Sequence, residues 1–233
     1  MRDKTSADDK GAYIVEAKKT RLVIGLTGLP SSGKGEVTLA LQRLASARGW
    51  RAEHLSFSDQ IKDEARARGI ADNDFTRELL SQIGIEMREA EGPGVLANRL
   101  ARKIRSWPDP APDLFVVEAL RHTGEVDALK AAFGDAFTLI AVECEPRLIA
   151  RRLIARQRPD ESPDAMQSEE AAIRLLESEL NGQLSSLGPN VSSCAARADV
   201  RLANNGTLSD LYNAVSDAFE SLAKTKPPPL ADT

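Results

Sequence analysis

The stretch Leu22-Val23-Ile24-Gly25-Leu26-Thr27-Gly28-Leu29-Pro30-Ser31-Ser32-Gly33-Lys34-Gly35 decides the fold class. It opens as an aliphatic run, the signature of a strand covered on both faces, and turns through glycines. Val37, Ala40, Leu41, Leu44 and Ala47 then follow at helical period. Residues Gly28 to Lys34 fit G-x-x-x-x-G-K between a strand and a helix. In that setting the glycines let the backbone curl so that amides point at phosphate oxygens, and the helix amino terminus adds its positive end. Lys34 supplies a point charge for the outer phosphates. Nucleotide-phosphate contacts are therefore expected from Gly28, Pro30, Ser31, Ser32, Gly33, Lys34, Gly35 and Glu36. The plainer alternative is a glycine-rich turn with an exposed lysine.

Further aliphatic runs lie at 52–57, 114–118, 137–142 and, more weakly, 199–202, with helical periodicity between them in 126–133 and 208–222. Alternation of strand and helix predicts right-handed crossovers, hence an α/β domain with a five-stranded parallel sheet between helical layers. The interval 58–107 is too rich in periodic apolar positions to be a loop and reads as three helices, near 59–68, 74–90 and 94–106. A second helical region, 146–157 and 168–182, separates the fourth and fifth strands. Residues 1–20 and 224–233 read as tails, the latter with three consecutive prolines.

Composition agrees with this and excludes alternatives. The 233 residues are 42% hydrophobic and 28% charged, with only 4% aromatic, so the core is aliphatic. No apolar run approaches the roughly 20 residues of a membrane-spanning helix. The first twenty residues lack a secretory signal, so a cytoplasmic chain is expected. Two cysteines without a ligand cluster indicate neither a disulfide framework nor a metal centre. A net charge of −4 gives no global attraction to nucleic acid or membrane.

Polar residues at the carboxyl ends of parallel strands face the ligand crevice. Asp59 follows the second strand and is read both as a helix N-cap and as a candidate catalytic base. Glu118 ends the third strand, in position to hold a Mg²⁺ water or orient a hydroxyl, with Arg121 three residues on. The bland reading makes Glu118 a helix cap and Arg121 a solvated charge; His122 reads as an exposed neighbour. Arg88 and Arg99 flank Glu91-Gly92-Pro93-Gly94, a break that either aims both guanidiniums at an acceptor phosphate or is a plain turn. Arg147, Arg151, Arg152, Arg156 and Arg158 crowd one helix; Arg152 and Arg156 are expected at the phosphates, against salt bridging to the acids that follow. Asn205-Gly206 follows the fifth strand and reads as a turn or as a nucleotide contact.

These motifs resemble the P-loop kinase superfamily, over about residues 21–222, within the branch of nucleoside monophosphate kinases and dephospho-coenzyme A kinases. Gly-Lys-Gly is shared with adenylate kinases, whose following threonine is Glu36 here. Either this carboxylate holds Mg²⁺ through water, or phosphoryl transfer is weak, or Glu36 complements the helix dipole; the last is preferred. Glu118-Ala119-Leu120-Arg121 is similar to the Asp-Gly-x-Pro-Arg element whose arginine binds the acceptor phosphate. Asp59 resembles the acid that faces the acceptor in dephospho-coenzyme A kinases, and Asn205 lies in a segment like the one these enzymes place near adenine. Gly-Lys-Gly-Glu with Glu-Gly-Pro-Gly also looks like an archaeal-type group of adenylate-kinase-like proteins.

The resemblance implies a three-layer α/β/α P-loop kinase fold over 21–223, with a helical acceptor-binding insert (58–107) and a lid (146–182). It implies ATP and Mg²⁺, with Glu118 touching the metal through water, and a small-molecule nucleotide acceptor, with no nucleic-acid or membrane partner. The expected activity is ATP-dependent phosphorylation of a nucleoside monophosphate or similar nucleotide. Lys34, Asp59, Glu118, Arg121, Arg152 and Arg156 would carry the chemistry, and Asp59, Arg88, Arg99 and Arg121 would hold the acceptor. A dephospho-coenzyme A kinase-like activity and a slow ATPase or nucleotide-binding regulator are the alternatives.

Overall fold

The computed structural model describes residues 22–156, 167–181 and 186–225. Among these, five strands form one parallel sheet: β1 (Leu22–Thr27), β2 (Ala52–Ser56), β3 (Leu114–Leu120), β4 (Phe137–Glu143) and β5 (Val200–Ala203). Their order is β2-β3-β1-β4-β5, parallel at every pairing. Strand β1 is central and every one of its residues is buried, which is why its run is unbroken by polar side chains.

Alternate residues supply the two faces of the sheet. Leu22, Ile24 and Leu26 pack with Val116, Ile140 and Val142 under α1 (Lys34–Ala47) and α9 (Leu208–Thr225). From α1 come Val37 and Leu41, and from α9 Leu211, Val215 and Phe219, positions one helical turn apart that lie along one face. Each such side chain stabilises the fold by roughly 1.5–3 kcal/mol through burial. On the opposite face Val23, Phe115, Val117 and Leu139 pack against α5 (Thr123–Phe133) and the insert. The insert is α2 (Phe57–Ala67), α3 (Arg77–Glu91) and α4 (Val95–Arg105).

A third cluster positions the site. Leu29 of the glycine turn packs with Ile149 and Leu153 of α6 (Pro146–Arg156), Leu176 of α7 (Glu169–Asn181) and Val191 of α8 (Val191–Ala195). Helices α6, α7 and α8 thus pack against the glycine turn itself.

Several boundaries differ from the sequence expectation for local reasons. Helix α2 starts at Phe57, because Ser56, and not Asp59, is its N-cap: the Ser56 hydroxyl accepts from the Ser58 amide at 3.1 Å. Strand β3 runs two residues past Glu118. Between Gly25 and Thr27 of β1 its register slips by one residue, and Ala119 sits at φ 72°. Helix α8 has too few residues to show periodicity. Helix α9 continues through Thr225, so Lys224 and Thr225 are helical and not tail. Residues 1–20, the triple proline and Arg158 lie outside the described residues.

Candidate active site

At the carboxyl edge of the sheet a single cleft of about 930 Å³ runs from the glycine turn to the insert. That volume suits a ligand of nucleotide size. Pro30, Ser31, Gly33, Lys34, Gly35 and Glu36 line one part of it; Phe57, Ser58, Asp59, Ile61, Leu80 and Leu96 line another.

The turn is shaped for close approach. Gly28 has φ 145°, and a Cβ there would sit 2.5 Å from the Val142 carbonyl oxygen. At Gly33, φ 109°, a Cβ would sit 2.2 Å from Asn204 Nδ2. Ser31 holds φ 58°, a left-handed conformation that costs a non-glycine residue roughly 1–2 kcal/mol. Ser31 and Ser32 have buried hydroxyl oxygens with no hydrogen-bond partner. Strain and orphaned polar atoms concentrated in one loop are what a phosphate cradle presents. The residues therefore fit a nucleotide phosphate chain.

Lys34 is buried, and its ammonium donates to the carbonyls of Gly28 and Leu29, each at 2.8 Å. Burial, reinforced by Arg121, lowers its pKa to about 8. Gly35 has open space where a side chain would project. Glu36 accepts from the Tyr212 hydroxyl at 2.7 Å in the first turn of α1, which ties it to α9.

Glu118 and Arg121 come to the cleft from the end of β3. The slip at Ala119 separates them: Glu118 stays in register opposite Ser56 of β2, whereas Arg121 is carried into the turn beyond. Ala119, at its positive φ, occupies the place of the glycine in the kinase element that Glu118-Ala119-Leu120-Arg121 resembles. His54 of β2 lies 3.1 Å from Glu118, and that hydrogen bond raises the histidine pKa. Glu118 and Asp59 are carboxylates facing the same space, and they fit a hydrated divalent cation arriving with a nucleotide.

The arginines divide. Arg152 and Arg156 line the cleft, Arg152 donating to the Asn204 carbonyl at 3.3 Å. Arg151 instead pairs with Glu169 at 2.7 Å, the salt-bridge reading. Arg88 reaches the cleft margin, but both its terminal nitrogens are engaged: Nη2 donates to Glu125 at 2.6 Å, both side chains being buried, and Nη1 to the Leu187 carbonyl at 3.3 Å. The other oxygen of Glu125 accepts from the amides of Arg121 and His122, at 2.9 and 3.0 Å. Arg88 therefore braces the turn that carries Arg121. Arg99 is not among the cleft-lining residues; it pairs with Glu91 and Glu64 on the insert surface. His122 is buried, not exposed, and caps α5. Asn205 turns to the amide of Glu145, and Asn204 is the residue that reaches the loop, donating to the Ser32 carbonyl at 2.7 Å.

Sequence reasoning missed His54, Arg77, Asn204 and Glu179. Asn204 was one position away, since neighbouring side chains at a strand end diverge. His54 was visible near the end of its strand. Arg77 and Glu179 are 102 positions apart, joined at 2.7 Å with no local signal at either.

The sheet order, the glycine turn opening α1 and the cleft at the strand ends define the fold of the P-loop kinases. Shikimate kinase from Acinetobacter baumannii, solved with shikimate, shares it at a TM-score of 0.50 and 16% identity, over 90% of this chain and 97% of that one. Residues 27–169 match the AAA_17 family, an AAA domain, and the chain belongs to that family. Archaeal relatives are UPF0200 proteins. That of Pyrococcus abyssi is 32% identical over 60% of this chain and 70% of its own length. That of Methanothermobacter thermautotrophicus is 28% identical over 87% and 92%. A UPF0200/UPF0201 protein of Archaeoglobus fulgidus is 30% identical over 87% of this chain, which spans 56% of that protein's length. No helix among the described residues is long and apolar enough to cross a membrane.

Proposed function

We propose that this protein is an ATP-dependent phosphotransferase whose acceptor is a nucleoside monophosphate or a similar nucleotide. The observation that supports it is the continuity of one cleft from the phosphate-loop residues to a compartment walled by the insert, with Arg121 and Glu118 at the junction. Two ligands can be held end to end there, as in-line transfer requires. Phe57, Ile61, Leu80 and Leu96 give that compartment an apolar patch on which a flat base can rest, beside polar groups of Ser58, Asp59 and Ser81.

In this reading the loop amides and Lys34 hold the donor phosphates, Arg121 binds the acceptor phosphate, and Arg152 and Arg156 offset charge on the phosphoryl group in transfer. Mg²⁺, when bound with ATP, supplies further charge neutralisation at the donor phosphates. Glu118 and Asp59 would contact its waters. Toward an acceptor hydroxyl, as in dephospho-coenzyme A, Asp59 would act as base; toward a phosphate acceptor no base is needed. A slow ATPase or nucleotide-binding regulator is the second reading, favoured by Gly35, which withholds the hydroxyl that commonly follows the loop lysine.

A panel of nucleoside monophosphates and dephospho-coenzyme A, offered with ATP and Mg²⁺ and followed by ADP release, separates the readings. Acceptor-dependent turnover on a monophosphate is expected. Turnover indifferent to every acceptor, or ATP binding without turnover, would sink the kinase reading.

A further inference from the structure

The roles assigned so far leave one buried imidazole unused. His122 is 8% exposed and lies between Arg121, which lines the cleft, and the start of α5. Its Nδ1 accepts from the Gly124 amide at 3.0 Å, and its Nε2 is 3.2 Å from the Ser186 carbonyl oxygen. A ring nitrogen that accepts carries no proton, and a carbonyl only accepts, so Nε2 holds the hydrogen and the ring is the neutral Nε2–H tautomer. We propose that His122 is a proton-sensitive positioning residue: the neutral ring fixes the turn that carries Arg121 at the cleft, and the protonated ring releases it, so that acceptor binding weakens on acidification. This rests on reading the compartment beside Arg121 as the acceptor's.

The geometry of the two bonds carries it. An imidazolium donates from both nitrogens, so on protonation the Gly124 amide meets a second N–H and loses its acceptor. The ring cannot swing away from Gly124 without also leaving Ser186, because both bonds come from one rigid plane. What is lost is a helix cap: His122 is the N-cap of α5 and closes a capping box with Glu125, which accepts from the Arg121 and His122 amides. The segment 186–190 is stitched to the same turn, its Asn190 amide donating to the Arg121 carbonyl at 2.6 Å. Pro189 of that segment lines the cleft, as Arg121 does, so release of one ring loosens two parts of the cleft margin. The charged and titratable groups around the turn are Arg121 itself, Glu125 of α5, Arg88 of α3, and Cys194 of α8, near enough to feel both Glu125 and Arg88. Residues 186–190 contribute none. Glu125 gives one oxygen to Arg88 and the other to the two amides, and neither ring nitrogen meets a carboxylate among the described residues. An imidazolium formed there has no bonded counter-ion to keep it in place.

The test compares the full chain with His122→Asn, whose side-chain oxygen also caps a helix but does not titrate. In the parent, long-range proton–nitrogen spectra of the ring should show the Nε2–H tautomer at about pH 8 and the doubly protonated ring at about pH 5. The Gly124 amide should lose protection against exchange as the ring charges, and the Arg121 Nε–Hε resonance should move with it. Calorimetric titration of AMP, GMP, CMP and UMP at both pH values should show the affinity of whichever binds falling about fivefold more in the parent than in the variant. Ionisation of the ligand, and of His54 in the cleft beside Glu118, enters both titrations alike. The pH dependence of affinity for a non-hydrolysable ATP analogue should agree between the two proteins within about twofold. Should His122→Asn fail to fold, His122→Ser supplies a second cap that does not titrate, with the same expectation. The inference is overturned by an Nδ1–H ring at about pH 8, by a ring that stays neutral down to acid unfolding, or by one that charges while Gly124 and Arg121 do not respond. Equal losses of monophosphate affinity in parent and variant, or an excess loss in the parent that the ATP analogue shares, overturn it as well. Failure of every monophosphate to bind at either pH would refute the acceptor reading, and the spectra alone would then decide whether His122 holds the turn.

Discussion

Lys34 shows how a single residue is set by its surroundings. Its identity is dictated by the loop motif, but its acidity is a property of burial and of Arg121, which together bring the pKa to about 8 from 10.5. In the folded chain the ammonium loses its proton near pH 8, and in the unfolded chain near 10.5, so between these values the unfolded state binds the extra proton. Stability should therefore rise as pH climbs through that window, by roughly 3 kcal/mol. Lys34→Met should lack this component, and denaturant unfolding of both proteins across the window is the measurement; parallel curves would contradict it. Nucleotide phosphates favour the charged ammonium, so above pH 8 binding should weaken and take up a proton, seen as a buffer-dependent enthalpy. At pH 7 the Met variant should lose roughly 10- to 100-fold in nucleotide affinity. Gly35 is a second case. Because open space lies where its side chain would be, Gly35→Ser should fold normally and make nucleotide affinity more dependent on Mg²⁺. An unchanged Mg²⁺ dependence would mean that Glu36 and Glu118 already serve the ion.

At the scale of elements, the strands and long helices were legible because their apolar periodicity follows directly from which faces are covered. Neither the slip at Ala119 nor helix α8 was legible. The first is a backbone conformation forced between β1 and β2, and the second is one short turn. The arginines of the insert show the same limit. Arg88 and Arg99 are similar in sequence context, flanking Gly92-Pro93-Gly94, yet one is buried against Glu125 and the other lies on the surface. Arg88→Met strands the buried Glu125 carboxylate and should cost about 3–5 kcal/mol. Arg99→Ala should cost less than about 0.5 kcal/mol. Equal losses in thermal unfolding would show that the Glu125 brace is not what holds the turn carrying Arg121.

For the whole molecule, the phosphate loop is clamped between the sheet and the α6–α8 cluster through Leu29, and Asn204 fastens it to the end of β5. A ligand that bonds the loop thus bears on several elements at once. A non-hydrolysable ATP analogue at about 100 times its Kd should stabilise the fold by roughly 2.7 kcal/mol. The melting transition should move upward as one cooperative unit. A split transition, with only part of the chain responding, would show that the insert unfolds independently of the sheet.

The sequence by itself determined the parallel sheet, the phosphate turn and the existence of a helical insert, because each leaves a pattern of residue types over a short stretch of chain. Apolar spacing reports which faces are covered, and glycine spacing reports where the backbone curls. Only the tertiary structure decided which charged residues share the cleft. Arg77 with Glu179, Arg88 with Glu125 and Asn204 with Ser32 are joined across 102, 37 and 172 positions. A side chain's charge is written in the chain, whereas its partner is chosen by the packing that brings distant elements within a few ångströms.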